Sequence, residues 1–405
     1  MTQSDPAAGK TEVAPSPRRV VPVLGVTQIL AWGSSYYLPA VLAKPVALET
    51  GWSLTWIVGG LSLGLLTAGL AAPAVGRCIH RKGGRPVLAA SALLLAAGQI
   101  GLAIAPSLPV FVLAWIVIGF GMSAGLYDAA FSTLGQLYRL GARHHIGTLT
   151  LFGGFASTVC WPLSAFLVDT IGWRGACLAY AAIHLGFCLP LYLWGLPKHR
   201  QEDAPAAPGA ATAPVAIRRP AIFMLLALAI TLAAFISTVV SVHLLTILSA
   251  RNLALAAAVA LGAMVGPSQV GARFIEMLVA RYHHPIWTKL ASAALVAIGL
   301  TLLALGVPVI WLALICYGAG IGLDSIARAT LPLALFGAHD YAPIMGKLAR
   351  PALIVQAAAP SIGALLIAHV GSGSTVAVIA AGAILNVGIV LGLVMLTRQA
   401  RLAPA

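Results

Sequence analysis

The chain has 405 residues, of which 60% are hydrophobic and only 8% charged, and its mean hydropathy is +0.97. A soluble domain carries about 25% charged residues, and no soluble fold of this length hides so much apolar surface. The formal net charge of +14 does not point to a nucleic-acid partner, because the basic residues are scattered over short gaps rather than gathered on one face.

Residues 1–19 begin with a polar stretch rich in Pro, Ala and Ser and read as a disordered tail. Twelve apolar runs of roughly membrane-spanning length follow, at 20–43, 54–76, 87–105, 109–137, 146–168, 174–196, 220–248, 253–280, 286–305, 308–336, 343–368 and 374–397. The first is long, has no small-residue cleavage site after it, and is expected to be a retained helix rather than a signal peptide. Of the 24 Lys and Arg, most fall in the tails and the even-numbered gaps or, as Lys289, Lys347 and Arg350 do, in the first turns of the spans that follow such gaps; the five exceptions are Lys44, Arg174 and Arg251 in or beside odd gaps, and Arg273 and Arg328 deep inside spans. Cytoplasmic loops retain Lys and Arg, so both termini are expected on the cytoplasmic side of the inner membrane. The loop charges read as orientation signals and as contacts to anionic lipid heads.

The one long gap, 197–219, has an Ala/Pro-rich centre flanked by Lys198, Arg200, Arg218 and Arg219. It is expected to be a cytoplasmic linker between an N-terminal six-helix bundle, 20–196, and a C-terminal one, 220–398, with 399–405 as the C-tail. The halves repeat each other. Ser132-Thr133-Leu134 matches Ala329-Thr330-Leu331, Pro162 matches Pro360, and Pro86 matches Pro285, at offsets of 197 to 199 residues. Parallel repeats of this kind are a recurring transporter plan, with the ligand between the repeats near mid-membrane. Gly119, Gly121 and Gly125 in span 4, and Gly318, Gly320 and Gly322 in span 10, allow close helix approach.

After span 2 comes Gly76-Arg77-Cys78-Ile79-His80-Arg81-Lys82-Gly83-Gly84-Arg85. This resembles the loop 2–3 signature of the major facilitator superfamily, Gly-x-x-x-Asp-Arg-x-Gly-Arg-Arg/Lys. Gly76, Arg81, Gly83 and Arg85 match, His80 stands where the Asp is usual, and Gly84 replaces an Arg. Gly172-Trp173-Arg174 before span 6 is also similar to an element of that superfamily. The resemblance covers residues 20–398 and implies an all-α membrane protein with twelve transmembrane helices in two pseudo-symmetric bundles. It also implies a gating role for the 76–85 loop, with His80 a weaker latch than an Asp. Gly51-Trp52 and the stretch 60–76 look similar to bacterial monocarboxylate and oxalate/formate porters. Asp324 and Arg328 are similar to the Asp/Arg pair of that group, but stand on span 10 rather than span 8. The span 5 signature of drug antiporters is replaced by Cys160-Trp161-Pro162.

Five ionisable residues read as buried within spans: Asp128, Arg273, Glu276, Asp324 and Arg328. A charge at mid-span costs about 2.5–3.5 kcal/mol on insertion scales, so each must pair, face the interior or lose its charge. Arg273 and Glu276 are i,i+3 and Asp324 and Arg328 are i,i+4, spacings that put each couple on one helix face. The alternatives are two intrahelical ion pairs, or Arg residues that bind an anion while carboxylates take protons. Arg suits oxyanions because its planar fork donates two parallel hydrogen bonds. Asp128 has only Tyr127, Ser132 and Gln136 as polar company along its helix and is the leading proton site, unless it pairs across the interior with Arg273 or Arg328. Gln269, Tyr127 and Tyr36 are candidate ligand contacts, with Trp32 and Tyr37 beside Tyr36; the aromatics of span 1 read equally as interface anchors. Gly266-Pro267 suggests a break in span 8. His243, His144-His145 and His283-His284 read as structural.

Neither a cofactor nor a metal is expected: the five cysteines are scattered, no Cys/His spacing suggests zinc, and no Walker-type loop is present. The expected function is a secondary active transporter, not an enzyme. It would move a small organic anion by alternating access with proton coupling. Arg273 and Arg328 would hold the anion, and Asp128, Glu276 or Asp324 would carry the proton. Efflux of a drug or metalloid, and a ligand sensor that does not transport, are the alternatives.

Overall fold

The computed structural model describes residues 16–198, 219–251 and 255–402. Residues 1–15 of the expected tail, 199–218 of the expected linker and 403–405 lie outside them. The described residues are helical nearly throughout: α1 (Pro17–Gly33), α2 (Pro39–Thr50), α3 (Leu54–Lys82), α4 (Gly84–Ile104), α5 (Leu108–Gly125), α6 (Tyr127–Tyr138), α7 (Ala142–Gly154), α8 (Ala156–Ile183), α9 (Leu189–Gly195), α10 (Pro220–Ser249), α11 (Leu255–Ala263), α12 (Val265–Val279), α13 (Pro285–Ala304), α14 (Ile310–Phe336) and α15 (Tyr341–Leu402). In lipid the backbone must satisfy its own hydrogen bonds, which selects helices for such a sequence.

These helices make twelve crossings. Eight continuous stretches are each long and apolar enough to span a bilayer, and two of those, Ala142–Gly195 and Tyr341–Gln399, contain two crossings each. They are divided at Gly172 (φ 72°) and Gly371 (φ 79°), left-handed conformations that a residue without Cβ adopts freely. Crossing 1 is α1 plus α2, crossing 4 is α5 plus α6, and crossing 8 is α11 plus α12, each broken near its middle. Pro39 and Pro267 stand in the first turn after two of these breaks, where a missing N–H is harmless.

The repeat is visible in packing. A Cβ at Gly98 would meet Ile118 and the carbonyl of Ala114, and one at Gly299 would meet Tyr317 and the carbonyl of Ala313. Likewise Gly121 lies against Leu95, and Gly320 against Val296. In each couple the residues of the second contact stand about 200 positions after those of the first, so equivalent helices pack through equivalent small residues. The glycines of spans 4 and 10 are therefore accounted for by close packing.

The halves meet most tightly towards the end that carries the basic loops. There α3 crosses α15 so closely that a Cβ at Gly76 would lie 2.4 Å from the carbonyl oxygen of Ala342, and one at Gly346 would lie 2.4 Å from that of Ala72. Gly135 on α6 lies flat against the ring of Tyr341 on α15.

Candidate functional site

The break in crossing 4 creates the first functional position. Leu126 is extended between α5 and α6, and the carbonyl of Gly125 accepts a hydrogen bond from Gln28 Nε2 at 2.5 Å. Asp128 thereby falls in the first turn of α6, where the helix dipole favours a carboxylate. Across the interface, Arg328 Nη2 of α14 donates to both Asp128 oxygens, at 3.0 and 2.7 Å. Asp128 is thus paired, and its partner is on the other half.

Neither intrahelical ion pair suggested by the spacing forms. Glu276 turns from Arg273 to α7, where Arg143 Nη2 lies 3.4 Å from Oε1; Thr288 Oγ1 donates to the same oxygen at 2.8 Å, and His283 Nε2 lies 3.4 Å from Oε2. Arg143 also donates to the carbonyl of His283 at 2.5 Å. Asp324 turns from Arg328 to α13, where Lys289 Nζ donates to it at 2.5 Å and Ser292 Oγ at 3.4 Å. Spacing along one helix puts two side chains on one face, but a packed neighbour offering a shorter, better-enclosed partner wins. Lys289, only 1% exposed, and Arg143 thus belong to the enclosed charged groups, although charge counting along the sequence groups them with the basic loops.

Arg273 differs from the other buried cations. It is 6% exposed, and its three hydrogen bonds all go to neutral acceptors. Nη1 donates to the carbonyl of Thr150 on α7 at 3.1 Å, Nη2 to Gln269 Oε1 at 3.2 Å, and Nε to the carbonyl of Gly322 at 3.4 Å. Among the described residues no carboxylate forms an ion pair with it. A guanidinium has five N–H donors, so two remain for a ligand.

Above this guanidinium lies a continuous group of aromatic rings built on the break in crossing 1. Tyr127 donates to the Thr150 carbonyl that Arg273 also uses, at 3.4 Å. Its ring stacks on Phe131 at 4.9 Å between centroids and reaches Trp32 at 5.1 Å. Trp32 packs edge-on to Tyr36 at 5.3 Å, Tyr36 to Tyr37 at 5.3 Å, and Tyr37 to Trp161 of α8 at 6.0 Å. Arg273 and Tyr127 meet at the shared Thr150 carbonyl, which places the guanidinium at the foot of the aromatic group. The structure thus brings Arg273, Gln269, Tyr127 and Tyr36 to one place and makes Trp32 and Tyr37 part of the same wall, well inside crossing 1 rather than at its ends. An open apolar cavity of about 570 Å³, lined by Ala40, Val41, Thr158, Trp161, Pro162 and Ala165, adjoins this wall through Trp161.

In the 76–85 loop, Gly83 (φ 78°) makes the turn between α3 and α4, and Gly76 is the point of close approach to α15. His80 packs edge-on to His339 of the other half at 5.3 Å, and its carbonyl accepts from Gln136 at 3.3 Å. Arg81 is exposed and Arg85 partly so. His243 bonds the carbonyl of Pro360 at 2.9 Å. Cys160, Cys177 and Cys188 are buried in the first half, whereas Cys316 is in the second. Among the described residues no group of three His, Cys, Asp or Glu is arranged to hold a metal ion.

These features define a multi-pass membrane protein of two similar halves with charged and aromatic groups enclosed where the halves meet. The family model described as Major Facilitator Superfamily matches residues 24–348. The chain belongs to that family, whose members are transporters. The fold is similar to that of the human organic anion transporter MFSD10 (TETRAN), with a TM-score of 0.73 and 16% identity over 93% of this chain and 100% of the other. It is also similar to the proton:xylose symporter XylE, at 0.68 and 15% over 92% and 94%. A third similar fold is the E. coli fucose:proton symporter FucP, at 0.68 and 14% over 93% and 99%. In sequence the chain is 32% identical to an uncharacterized 38 kDa protein in the 23S RNA operon of Thermoproteus tenax, over 41% of this chain and 43% of that protein. It is 31% identical to monocarboxylate transporter 11 of Mus musculus, over 37% and 34%. The chain spans less than half the length of the curated relatives it matches.

Proposed function

We propose that the protein moves an organic anion across the cytoplasmic membrane by alternating access, coupled to protons, with both termini and the basic loops in the cytoplasm. The two halves, 20–196 and 220–398, rock about the aromatic and charged interface, joined by the 197–219 linker. Arg273 carries the reading. A guanidinium that is 6% exposed and held only by neutral acceptors is an uncompensated buried charge, and such a charge is costly until an anion joins it. Its free donors suit a carboxylate. Similarity to a transporter of monocarboxylates and a fold shared with an organic anion transporter point the same way.

Asp128 and Glu276 fit the coupling role because each bridges the halves at the end where they are closed. Protonation of either removes the charge that holds its partner, so the cytoplasmic end opens and Arg328 or Arg143 is released. A freed Arg328 is then available to the departing anion. Asp324, paired within one half by Lys289, fits the role less directly. One proton carried with one monoanion moves no net charge.

The test is counterflow and pH-driven accumulation of labelled carboxylates in proteoliposomes. Carboxylate exchange by the unmodified protein, lost in Arg273→Gln and retained in part in Arg273→Lys, is the expected result. Binding without flux, or equal exchange by Arg273→Gln, refutes the proposal.

A further inference from the structure

We propose that the anion is an aryl carboxylate, in which a flat conjugated ring carries the charged group, and that the rings of Trp32, Tyr36, Tyr37 and Tyr127 select it over short aliphatic acids. This rests on the organic-anion reading above and adds the ligand's body to its charge.

The chain is only 7% aromatic, yet Trp32, Tyr36, Tyr37, Tyr127 and Trp161 form one connected surface beside the single buried cation that lacks a carboxylate among the described residues. Their edges and faces alternate: Tyr36 is turned 69° from Trp32 and 89° from Tyr37, and Trp161 is 87° from Tyr37. An added ring finds both a face and an edge to pack against, the two arrangements aromatic pairs favour. Trp32, Tyr36, Tyr37 and Tyr127 each keep part of their surface accessible, although they stand in the middle of crossings 1 and 4.

Charge narrows the ligand further. Aromatic walls alone attract organic cations, but Arg273 donates to the same Thr150 carbonyl as Tyr127 and so stands at this wall, where it repels one. A neutral polyol leaves the guanidinium uncompensated, and its hydroxyls would need acceptors that are already used, since Gln269 Oε1 and the Thr150 carbonyl serve Arg273. A short aliphatic acid satisfies Arg273 but leaves the rings uncovered. A carboxylate on an aromatic ring satisfies both, with the carboxylate on Arg273 and the ring against the aromatic wall.

The experiment uses the full chain in proteoliposomes and compares counterflow of labelled benzoate, propionate, phenethylammonium and glucose. Each aromatic contact contributes a factor of several to binding, so benzoate should exchange at concentrations roughly tenfold or more below propionate, with no exchange of the amine or the sugar. Trp32→Leu and Tyr37→Leu should shrink that gap to within about threefold, read as the ratio of the benzoate to the propionate concentration needed within each variant. Benzoate should also raise the melting temperature of the unmodified protein in detergent more than equimolar propionate does, a readout independent of how well the variants fold. Equal handling of benzoate and propionate by the unmodified protein, or an undiminished benzoate preference in both folded variants, overturns the proposal and leaves the organic-anion reading standing. Absence of exchange for every carboxylate overturns both.

Discussion

Replacing Asp128 by Asn tests whether ion pairs between the halves hold the basic end shut. Arg328 Nη2 contacts both Asp128 oxygens, and the two side chains are 21% and 19% exposed. That exposure excludes the 3–5 kcal/mol seen when a fully buried pair is broken. It leaves the range of a charge-assisted hydrogen bond, about 1.5–3 kcal/mol. An Asn side chain still accepts one bond from Arg328, so the closed arrangement should lose about 2 kcal/mol relative to the open one. At 1.4 kcal/mol per factor of ten, the open-to-closed ratio should rise roughly 30-fold. Spin labels at His144 and Tyr282, both exposed and flanking the Arg143–Glu276 bridge from opposite halves, report that ratio as a distance distribution in a Cys-free background. Asp128→Asn should populate a longer distance, and adding Arg328→Gln should shift it little further, because the interaction is already lost. A distribution in Asp128→Asn that superimposes on that of the unmodified protein refutes the reasoning.

Glu276→Gln should be more damaging than Asp128→Asn. Glu276 is 5% exposed and holds Arg143, His283 and Thr288 together, so a loss of about 3 kcal/mol and a lower melting temperature in detergent are expected; equal melting temperatures would count against it. Gly346→Val places side-chain atoms where a Cβ alone would already lie 2.4 Å from the Ala72 carbonyl. The same label pair should then report an open basic end, and a closed one would mean that α3 and α15 yield without separating. Lys289→Met leaves Asp324 without its cation and should destabilise the fold. Adding Asp324→Leu should restore the melting temperature to within about 1 kcal/mol of the original stability, and a double variant as unstable as the single one would show that charge compensation is not the reason Lys289 is needed.

The membrane wrote the architecture into the chain more plainly than the site. Twelve crossings, the Gly-marked repeat and the break before Pro267 are legible because lipid fixes run length and backbone satisfaction, and because equivalent close contacts demand small residues at equivalent positions. The partners of the buried charges are not legible in the same way. Asp324 and Arg328 stand one turn apart, yet each is taken by a different neighbouring helix. Arg143 and Lys289 sit within the first turn or two of α7 and α13, beside basic loops, and a charge there reads as an orientation signal whether it points to water or into the interface. For Lys289 one signal was available: it lies inside the apolar run 286–305, where an unpaired ammonium is expensive. Residue type alone marks Tyr127 and Asp128, but the break at Leu126 that turns both into the interface is accompanied by Gln28 reaching the freed Gly125 carbonyl, a contact across 97 residues that local pattern does not reveal.

The charge balance at the interface also gives the proposed cycle its order. Asp128 with Arg328, Glu276 with Arg143, and Asp324 with Lys289 each sum to neutral, so the site without ligand carries one surplus positive charge, on Arg273. While one end is open, water reaches the interface and screens that surplus. Closing both ends around it removes the water, and an isolated buried charge costs several kcal/mol. A bound monoanion cancels the surplus, so the occluded state is accessible with ligand and rare without it. A ligand can shift a conformational equilibrium only by its differential affinity for the two states, and here the differential comes from the guanidinium, which gains most from the anion when solvent is excluded. On this argument Arg273→Gln does more than weaken binding: it makes the empty interface neutral, so the protein should alternate between its two states without cargo. Label pairs should therefore exchange between open and closed distances in Arg273→Gln without ligand, whereas in the unmodified protein they should do so only when a carboxylate is added.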